Sequence, residues 1–210
     1  YKYSGGLLKK VIDGELKETD YEYDFNNRIE KVTDANGNEA VRVEYDALGR
    51  IVRQYDAEGN VRYQVYSDST NERYEIDAKG NESRTRFNLD MRVVEEVDAL
   101  GNKVKYEYSY YNPDSKKWET IPDIDVGTLE DNKDPKAKAF NTYLTAGKNK
   151  RLKTREKMYD KKGKPTTNEY DENHNLVSTL DPWEQTTSMT YDPVDKNNML
   201  TKTDKKGKTT

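Results

Sequence analysis

A chain of 210 residues suits one or two domains, yet Leu, Ile, Val and Phe supply only 35 of them, about 17 %, below the ~20 % level that, with high net charge, marks disordered chains. The net charge is only −4, and 17 tyrosines supplement the aliphatics. Tyr is amphipathic and favours strands, so a thin, Tyr-rich β structure is expected, neither a disordered tail nor a thick globular core. There is no cysteine, which excludes disulfides and thiolate metal sites and leaves secretion neither required nor forbidden.

Charge is uneven: −6 over residues 1–110, −2 over 111–143 and +4 over 144–210. The chain opens on Tyr1, carries no recognisable signal peptide, and has no apolar run near the ~20 residues that cross a bilayer. It is expected to be a piece of something longer.

Turn-opening residues recur with a metre along the first half: Asp13, Asp24, Asp34, Asp46, Asp56, Ser67, Asp77, Asn88, Asp98 and Ser109. After a gap the series resumes at Asp160, Asp171, Asp181, Asp192 and Asp204. Steps of about ten and eleven alternate, giving a unit of about 21 residues, and such a period signals a repeat architecture. Between the marks, Val41–Tyr45, Val61–Val65 and Val104–Tyr108 alternate with period two. Period two puts one set of side chains on each face of a strand. Short strands at even spacing with turn signals between them predict an all-β array of antiparallel β-hairpins.

Two kinds of turn alternate. The first, type A, reads Asp-x-x-Gly: Asp34/Gly37, Asp56/Gly59, Asp77/Gly80, Asp98/Gly101, Asp160/Gly163 and Asp204/Gly207, with Glu184 in the glycine place after Asp181. Asp accepts from nearby backbone N–H groups, and Gly supplies positive φ. The second, type B, opens with Tyr-Asp or its relatives and varies at its fourth position: Asn27, Gly49 (in the Asp46/Gly49 turn), Thr70, Met91, His174 and Asp195. Thr or Met at positive φ would be an outlier, so type B turns are expected to be longer or of another geometry, and type A turns alone to demand glycine. The strand after each type B turn carries an apolar pair, as in Ile51-Val52, Val93-Val94 and Leu176-Val177. A β-bulge there would reconcile the pair with one buried face.

The metre fails between Ser109 and Asp160. Residues 111–134, rich in Asp, Lys and Pro, read as loop. Asp134-Pro135 then reads as a helix N-cap with proline at the first helical position. Ala137, Phe140, Tyr143 and Leu144 follow at helical spacing, and Gly147 offers a C-terminal cap. The expected organisation is a repeat array over 1–110, an insertion over 111–150 with a loop and a short helix near 135–146, and a continued array over 151–210. About five degenerate half-units hidden in the gap are the alternative.

These units, above all Tyr21-Glu22-Tyr23-Asp24, Asp34-Ala35-Asn36-Gly37, Tyr45-Asp46-Ala47-Leu48-Gly49-Arg50-Ile51 and Tyr191-Asp192, resemble YD repeats. Such repeats occur in Rhs proteins, bacterial wall-associated proteins, the shell of Tc insecticidal toxin complexes and teneurins. The resemblance covers roughly residues 12–110 and 151–210. It implies a curved sheet of hairpins that spirals into a hollow shell, which in bacterial members often encloses a toxic C-terminal domain. Relatives that cleave themselves end the shell with an Asp-Pro-x-Gly motif. Asn112-Pro113 and Asp181-Pro182 are fragments of it at best, so no catalytic residue carries over. The resemblance implies a non-enzymatic structural segment of a large secreted or surface bacterial protein, partnered by the rest of its own chain. A surface module of adhesin type, binding glycan or wall polymer, is the alternative function.

Other constellations are weak. Paired carboxylates for glycoside chemistry need one cleft, whereas these recur at every turn. His174 stands at a turn position without a nucleophile partner. Asp123–Asp131 has some features of a calcium loop, but its Gly is at the fifth place and the bidentate Glu is missing. No cofactor or metal is expected. Arg151, Lys153, Arg155 and Lys157 would align on one strand face and could meet nucleic acid or an anionic wall polymer, although a solvated face explains them more simply. Cross-strand aromatic ladders explain the tyrosines. Trp118 and Trp183 lie outside the metre and are the better candidates for a ligand surface.

Overall fold

The computed structural model describes residues 1–124, 133–148 and 151–210. Among these residues seventeen strands and one helix follow in order: β1 (Lys2–Ser4), β2 (Leu7–Ile12), β3 (Glu18–Tyr23), β4 (Ile29–Thr33), β5 (Glu39–Tyr45), β6 (Ile51–Tyr55), β7 (Val61–Ser67), β8 (Glu72–Ile76), β9 (Glu82–Phe87), β10 (Val93–Val97), β11 (Lys103–Asn112), β12 (Lys117–Ile121), α1 (Pro135–Gly147), β13 (Thr154–Tyr159), β14 (Pro165–Tyr170), β15 (Leu176–Leu180), β16 (Thr186–Tyr191) and β17 (Met199–Thr203). The architecture is all-β and antiparallel. The chain forms two compact units, Tyr1–Ser67 with Arg73–Arg84, and Asp68–Glu72 with Thr85–Thr210.

In the first unit each strand from β1 to β7 pairs with its neighbour in the chain. In the second the ladder runs β10, β11, β13, β14, β15, β16, β17. Each sheet is open and uncurled; the spiral implied by the resemblance needs many more hairpins than either contains.

Apart from the type B turns opening at Ser67 and Asp192, which are longer as expected, the two kinds of turn share one backbone design, and this corrects the expected difference between them. Asp34 N–H donates to Asn38 O at 2.8 Å and Gly37 N–H to Asp34 O at 3.0 Å; in type B, Asp24 pairs in the same way with Arg28 and Asn27. This is a three-residue loop whose last residue takes the left-handed conformation. In type A the expected glycines occupy that place: Gly37, Gly59, Gly80, Gly101 and Gly163 stand at φ of 82°, 79°, 81°, 79° and 72°. Gly80, Gly101 and Gly163 donate to the carbonyls of Asp77, Asp98 and Asp160 at 3.0, 2.9 and 2.8 Å. The demand for glycine is not peculiar to type A, however, and not absolute within it. Asn27, Met91 and His174 hold the same place in type B at φ of 63°, 56° and 65°, alongside Gly49 at 83°, and Glu184 holds it in type A at 62°. Two type B turns are longer. After β7 it is Asn71, not Thr70, that takes positive φ, and Asp192 pairs across to Asn198.

The bulge lies where the apolar pairs place it. Glu44 faces Arg53 but Tyr45 faces Ile51, leaving Val52 extra. The same shift leaves Val177 extra in β15 and Leu200 extra in β17. Two consecutive apolar residues therefore do not force a side chain onto the wrong face.

The metre's Ser109 opens no turn: it lies inside β11, which continues to Asn112. The hairpin to β12 turns there instead, with Lys116 N–H bonded to Asn112 O and Lys116 at φ 56°. Part of the stretch read as loop is thus strand β12. The boundary placed at residue 110 falls within β11. Tyr108, Ser109 and Tyr110 pair with β12 on one side and β13 on the other. The ladder therefore passes from β11 straight to β13, although β12 and α1 lie between them in the chain.

Helix α1 starts at Asp134, whose carboxylate accepts from Lys136 N and Ala137 N, with Pro135 in the first turn. It buries Ala137 and Phe140. Leu144 stays 45 % exposed, so the apolar stripe runs through Ala137, Phe140, Tyr143 and Ala146 and leaves Leu144 out. Gly147 does not cap the end; the helix runs through it to Lys148, which is itself right-handed. Tyr110, Ile121, Ile124 and Phe140 form the core, flanked by Leu89, Tyr108, Tyr143, Ala146 and Leu152. The first unit has Val43 as its one buried hydrophobic among the described residues. Its coherence must come from contacts between neighbouring hairpins.

Candidate functional site

Those contacts centre on the Tyr-Asp pairs. The tyrosine ending β5, Tyr45, donates its hydroxyl to Ile29 O at 2.7 Å, at the start of β4. Tyr23 to Leu8, Tyr66 to Ile51, Tyr108 to Val93 and Tyr191 to Leu176 repeat the bond at 2.7–3.0 Å. Each closes the mouth of the hairpin whose second strand the tyrosine ends, made by the turn at Asp13 for Tyr23 and by the preceding type A turn for the others. A strand-end tyrosine suits this because its ring lies on the sheet while its hydroxyl reaches a carbonyl that strand pairing leaves free.

An arginine supports the ring from below. Arg28 lies 4.2 Å from the Tyr45 ring centre and Arg50 4.3 Å from that of Tyr66. Each guanidinium is held by the aspartate four residues earlier: Arg28 Nε to Asp24 at 2.7 Å, Arg50 Nε to Asp46 at 2.8 Å. Asp46 Oδ1 also accepts from the N–H groups of Leu48 and Arg50 at 2.9 Å. Thus Tyr45 rests on the arginine of the unit before, and Asp46 fixes the arginine that carries Tyr66 of the unit after. The Tyr-Asp pair hands the contact along the sheet.

The pattern survives a substitution. Asn88 replaces the aspartate and still accepts from the backbone of Asp90 and Arg92 at 3.0 Å. The missing carboxylate comes from Asp90, whose Oδ2 holds Arg92 Nε at 2.8 Å. Arg92 lies 5.2 Å from the Tyr108 ring and donates to Tyr143 Oη at 3.0 Å; Tyr143 donates to Asp90 at 2.8 Å. The same relay therefore ties down helix α1.

The type A turns at Asp34, Asp56, Asp77 and Asp98 carry asparagine at the arginine place. Asn38, Asn60, Asn81 and Asn102 bond the aspartate side chain at 2.8–3.2 Å. The residue four after the aspartate decides whether a turn is closed on itself or reaches the next hairpin. Sequence reading missed this; Asp-x-x-x-Arg against Asp-x-x-x-Asn was the available signal. Tyr111 and Trp118 make a cross-strand aromatic pair, but the tyrosines of the repeat meet cationic side chains in place of the expected aromatic ladders, as at Tyr45, Tyr55 and Tyr66.

The turn glycines take no part in this relay. Gly80, Gly101 and Gly163 are exposed at their tips, and a Cβ added to any of them would meet nothing within 4 Å. Backbone conformation, not close approach of a neighbour, is what these positions ask of the residue. Gly49 differs: an added Cβ would come within 3.0 Å of the Arg28 guanidinium, the group on which Tyr45 rests.

Hydrogen bonds depress the turn carboxylates. For Asp34 and Asp46 the largest cause is the backbone N–H of Asn38 or Arg50; for Asp56, Asp77 and Asp98 it is the asparagine side chain. Desolvation pushes Asp24 up, and the Arg28 guanidinium with backbone donors more than reverses it. Asp160 is lowered first by the Lys164 N–H.

The residues singled out for ligand contact do not converge. Trp118 is half-buried, its ring edge-on to Tyr111 at 5.8 Å, with Arg155 4.2 Å from its centre. Arg155 Nε also bonds Glu169 at 2.9 Å, and Lys153 lies 3.7 Å from Glu172. Arg151 is exposed just before β13. Trp183 is 69 % exposed at a turn tip, with Lys164 5.5 Å from its ring. His174 is an exposed turn residue. The calcium-like stretch lies largely in 125–132, outside the described residues. Among the described residues no group of three or more His, Asp or Glu could hold a metal, and no helix is long and apolar enough to cross a membrane.

No protein-family model matches the chain, and no curated protein matches it. Among solved structures it is similar to TcdB2-TccC3, at 10 % identity over 88 % of this chain and 10 % of that one, with a TM-score of 0.37. A second TcdB2-TccC3 structure gives 12 % identity over 88 % and 12 %, with a TM-score of 0.25. A Photorhabdus luminescens Tc holotoxin pore with a point mutation in TccC3 gives 9 % identity over 89 % and 12 %, also at 0.25. The chain spans about a tenth of the length of these proteins.

Proposed function

We propose that this chain is a non-enzymatic wall segment of a larger secreted or surface-displayed bacterial protein. In this reading, the remainder of the same protein continues the hairpin array into a shell that encloses or displays a C-terminal domain. The observation that carries the reading is the Tyr–Arg–Asp relay. It joins successive hairpins at Tyr45 and Tyr66 and, in altered form, at Tyr108, while the tyrosine hydroxyl bond recurs as far as Tyr191, so its product is a sheet of linked hairpins. The turn carboxylates of Asp24, Asp34, Asp46 and Asp56 accept hydrogen bonds from their own turns, which gives them a structural occupation.

The test is electron microscopy of the full-length protein, with limited proteolysis of any domain following the array. A hollow β-walled particle that protects that domain until the wall is cut supports the proposal. A solid rod with the domain freely cleaved, or specific capture of a glycan on an array, would overturn it.

A further inference from the structure

The type A turns of the second unit lie along one end of its sheet. Lys105 of β11 faces Tyr159 of β13, Thr167 of β14 faces Leu180 of β15, and Ser188 of β16 faces Thr203 of β17. That register brings the turns opening at Asp98, Asp160, Asp181 and Asp204 to the same end. Successive turns are two strands apart, or about 10 Å at ~4.8 Å per strand, so the four make a row of about 30 Å. Side chains connect them: Lys164 lies over the Trp183 ring at 5.5 Å, Lys205 Nζ is 3.7 Å from Asp181, and the Lys161 charge is felt at Asp98.

The tips along this row are distinctive. Leu100 is 88 % exposed and Trp183 69 % exposed, and Lys161, Lys162, Lys205 and Lys206 are exposed beside them. Each aspartate turns one oxygen to the N–H groups of its own turn at 2.8–3.0 Å, and Asp181 also draws Lys205 to 3.7 Å, so the carboxylates offset part of the lysine charge from the base of the turns while the lysines stand exposed at the tips. Glu184 is the one acidic residue at a tip of these turns. A turn of this design needs only Asp at its start and a left-handed fourth residue. Lys-Lys and Pro-Trp at the tips serve no bond that the fold requires.

A row of cationic tips with a projecting Trp and Leu suits a flat, negatively charged partner with an apolar layer beneath its surface. Lysine is attracted to anionic headgroups, and Trp partitions to the lipid–water interface. A single-stranded polyanion would instead call for a groove with stacked aromatics, and this row projects. We propose that this end of the second unit docks on an anionic lipid surface, with Lys161, Lys162, Lys205 and Lys206 meeting headgroups and Trp183 and Leu100 entering the interface. The proposal is independent of the shell reading.

The test is flotation of the whole chain with phosphatidylcholine vesicles, with or without phosphatidylserine. Binding is expected only with phosphatidylserine, and is expected to weaken as salt rises. Reversal of the four lysines to Glu should weaken it by at least about a hundredfold, since each lysine near such a surface contributes roughly fivefold. Trp183→Ala should weaken it while leaving the far-ultraviolet circular dichroism unchanged. A control reverses four exposed lysines elsewhere, Lys116, Lys117, Lys136 and Lys138, and should bind nearly as the parent does. Equal loss in the control would mean diffuse charge and overturn the proposal. So would absence of vesicle binding, or binding to single-stranded DNA in preference to vesicles.

Discussion

Arg50 and Tyr66 offer the cleanest measure of the relay. The guanidinium carbon is 4.3 Å from the ring centre, inside the ~6 Å range of cation–π attraction. The Arg50 side chain is 31 % exposed, between the open case at about 0.5–1 kcal/mol and the desolvated case at about 2; a coupling of about 1 kcal/mol is expected. Arg50→Met keeps the stem and the backbone N–H that bonds Asp46, so the turn is retained. Tyr66→Leu removes the ring together with its bond to Ile51. Urea unfolding of the parent, both single variants and the double variant gives the coupling directly. Arg53 and Tyr63 serve as the internal control: at 5.7 Å, with Arg53 half-exposed, they should couple clearly less. A coupling for Arg50 and Tyr66 below about 0.3 kcal/mol, the usual error of additivity, would refute the relay. So would a value no larger than the control's.

Gly59 stands at φ 79° with open space around its Cα, so Gly59→Val should cost about 1–2 kcal/mol through backbone strain alone, read by denaturant unfolding. Met91→Gly at φ 56° should be neutral or slightly stabilising in the same assay, because relieved strain of about 1–2 kcal/mol meets Gly's chain-entropy cost of about 0.5–1. Phe140→Ala should cost about 3–5 kcal/mol, since Phe140 lies in the core with Tyr110, Ile121 and Ile124. Acid should destabilise the fold: the lowered turn carboxylates contribute stability above their unfolded pKa near 3.8, and that contribution is lost as pH falls through their folded values. Asp46→Asn should therefore lower stability at neutral pH, and its difference from the parent should shrink as pH falls through the lowered folded pKa of Asp46, by circular dichroism across a pH series.

The metre was legible because most turns use the same chemistry: an aspartate accepting from its own loop, followed by a left-handed residue. The bulges were legible because a doubled apolar residue in a half-buried strand has few other solutions. The turn geometry was misjudged at Met91 and His174. Local sterics disfavour such residues at positive φ, but two backbone hydrogen bonds and an Asx contact hold the loop and outweigh a modest strain. Ser109 was misread because β11 runs three residues past the metre to reach β12, and spacing alone cannot show that a strand has gained a second partner. The arginines were missed because their spacing from aspartate is local, whereas the ring they meet lies 16 or 17 residues ahead.

That distance explains how a sheet with so little buried volume holds together. In a repeat array each unit touches only its neighbours, so stability is close to a sum of nearest-neighbour terms. The relay is such a term, carried on polar groups where aliphatic residues are scarce. It can also be moved without being lost: when Asn88 replaces the turn aspartate, Asp90 takes over the guanidinium, and the freed geometry admits Tyr143 from α1. Insertion and repeat are thereby joined through one arginine. In the 151–210 segment the turns at Asp171 and Asp192 have no arginine four residues on, and Asp171 bonds Asn175 instead. The hydroxyl bond from Tyr191 to Leu176 persists there, while the charge that would have supported the ring is absent. Neighbouring hairpins in this segment should accordingly be coupled less strongly than those of the first unit, and hydrogen exchange across β14–β17 should be faster than across β3–β7.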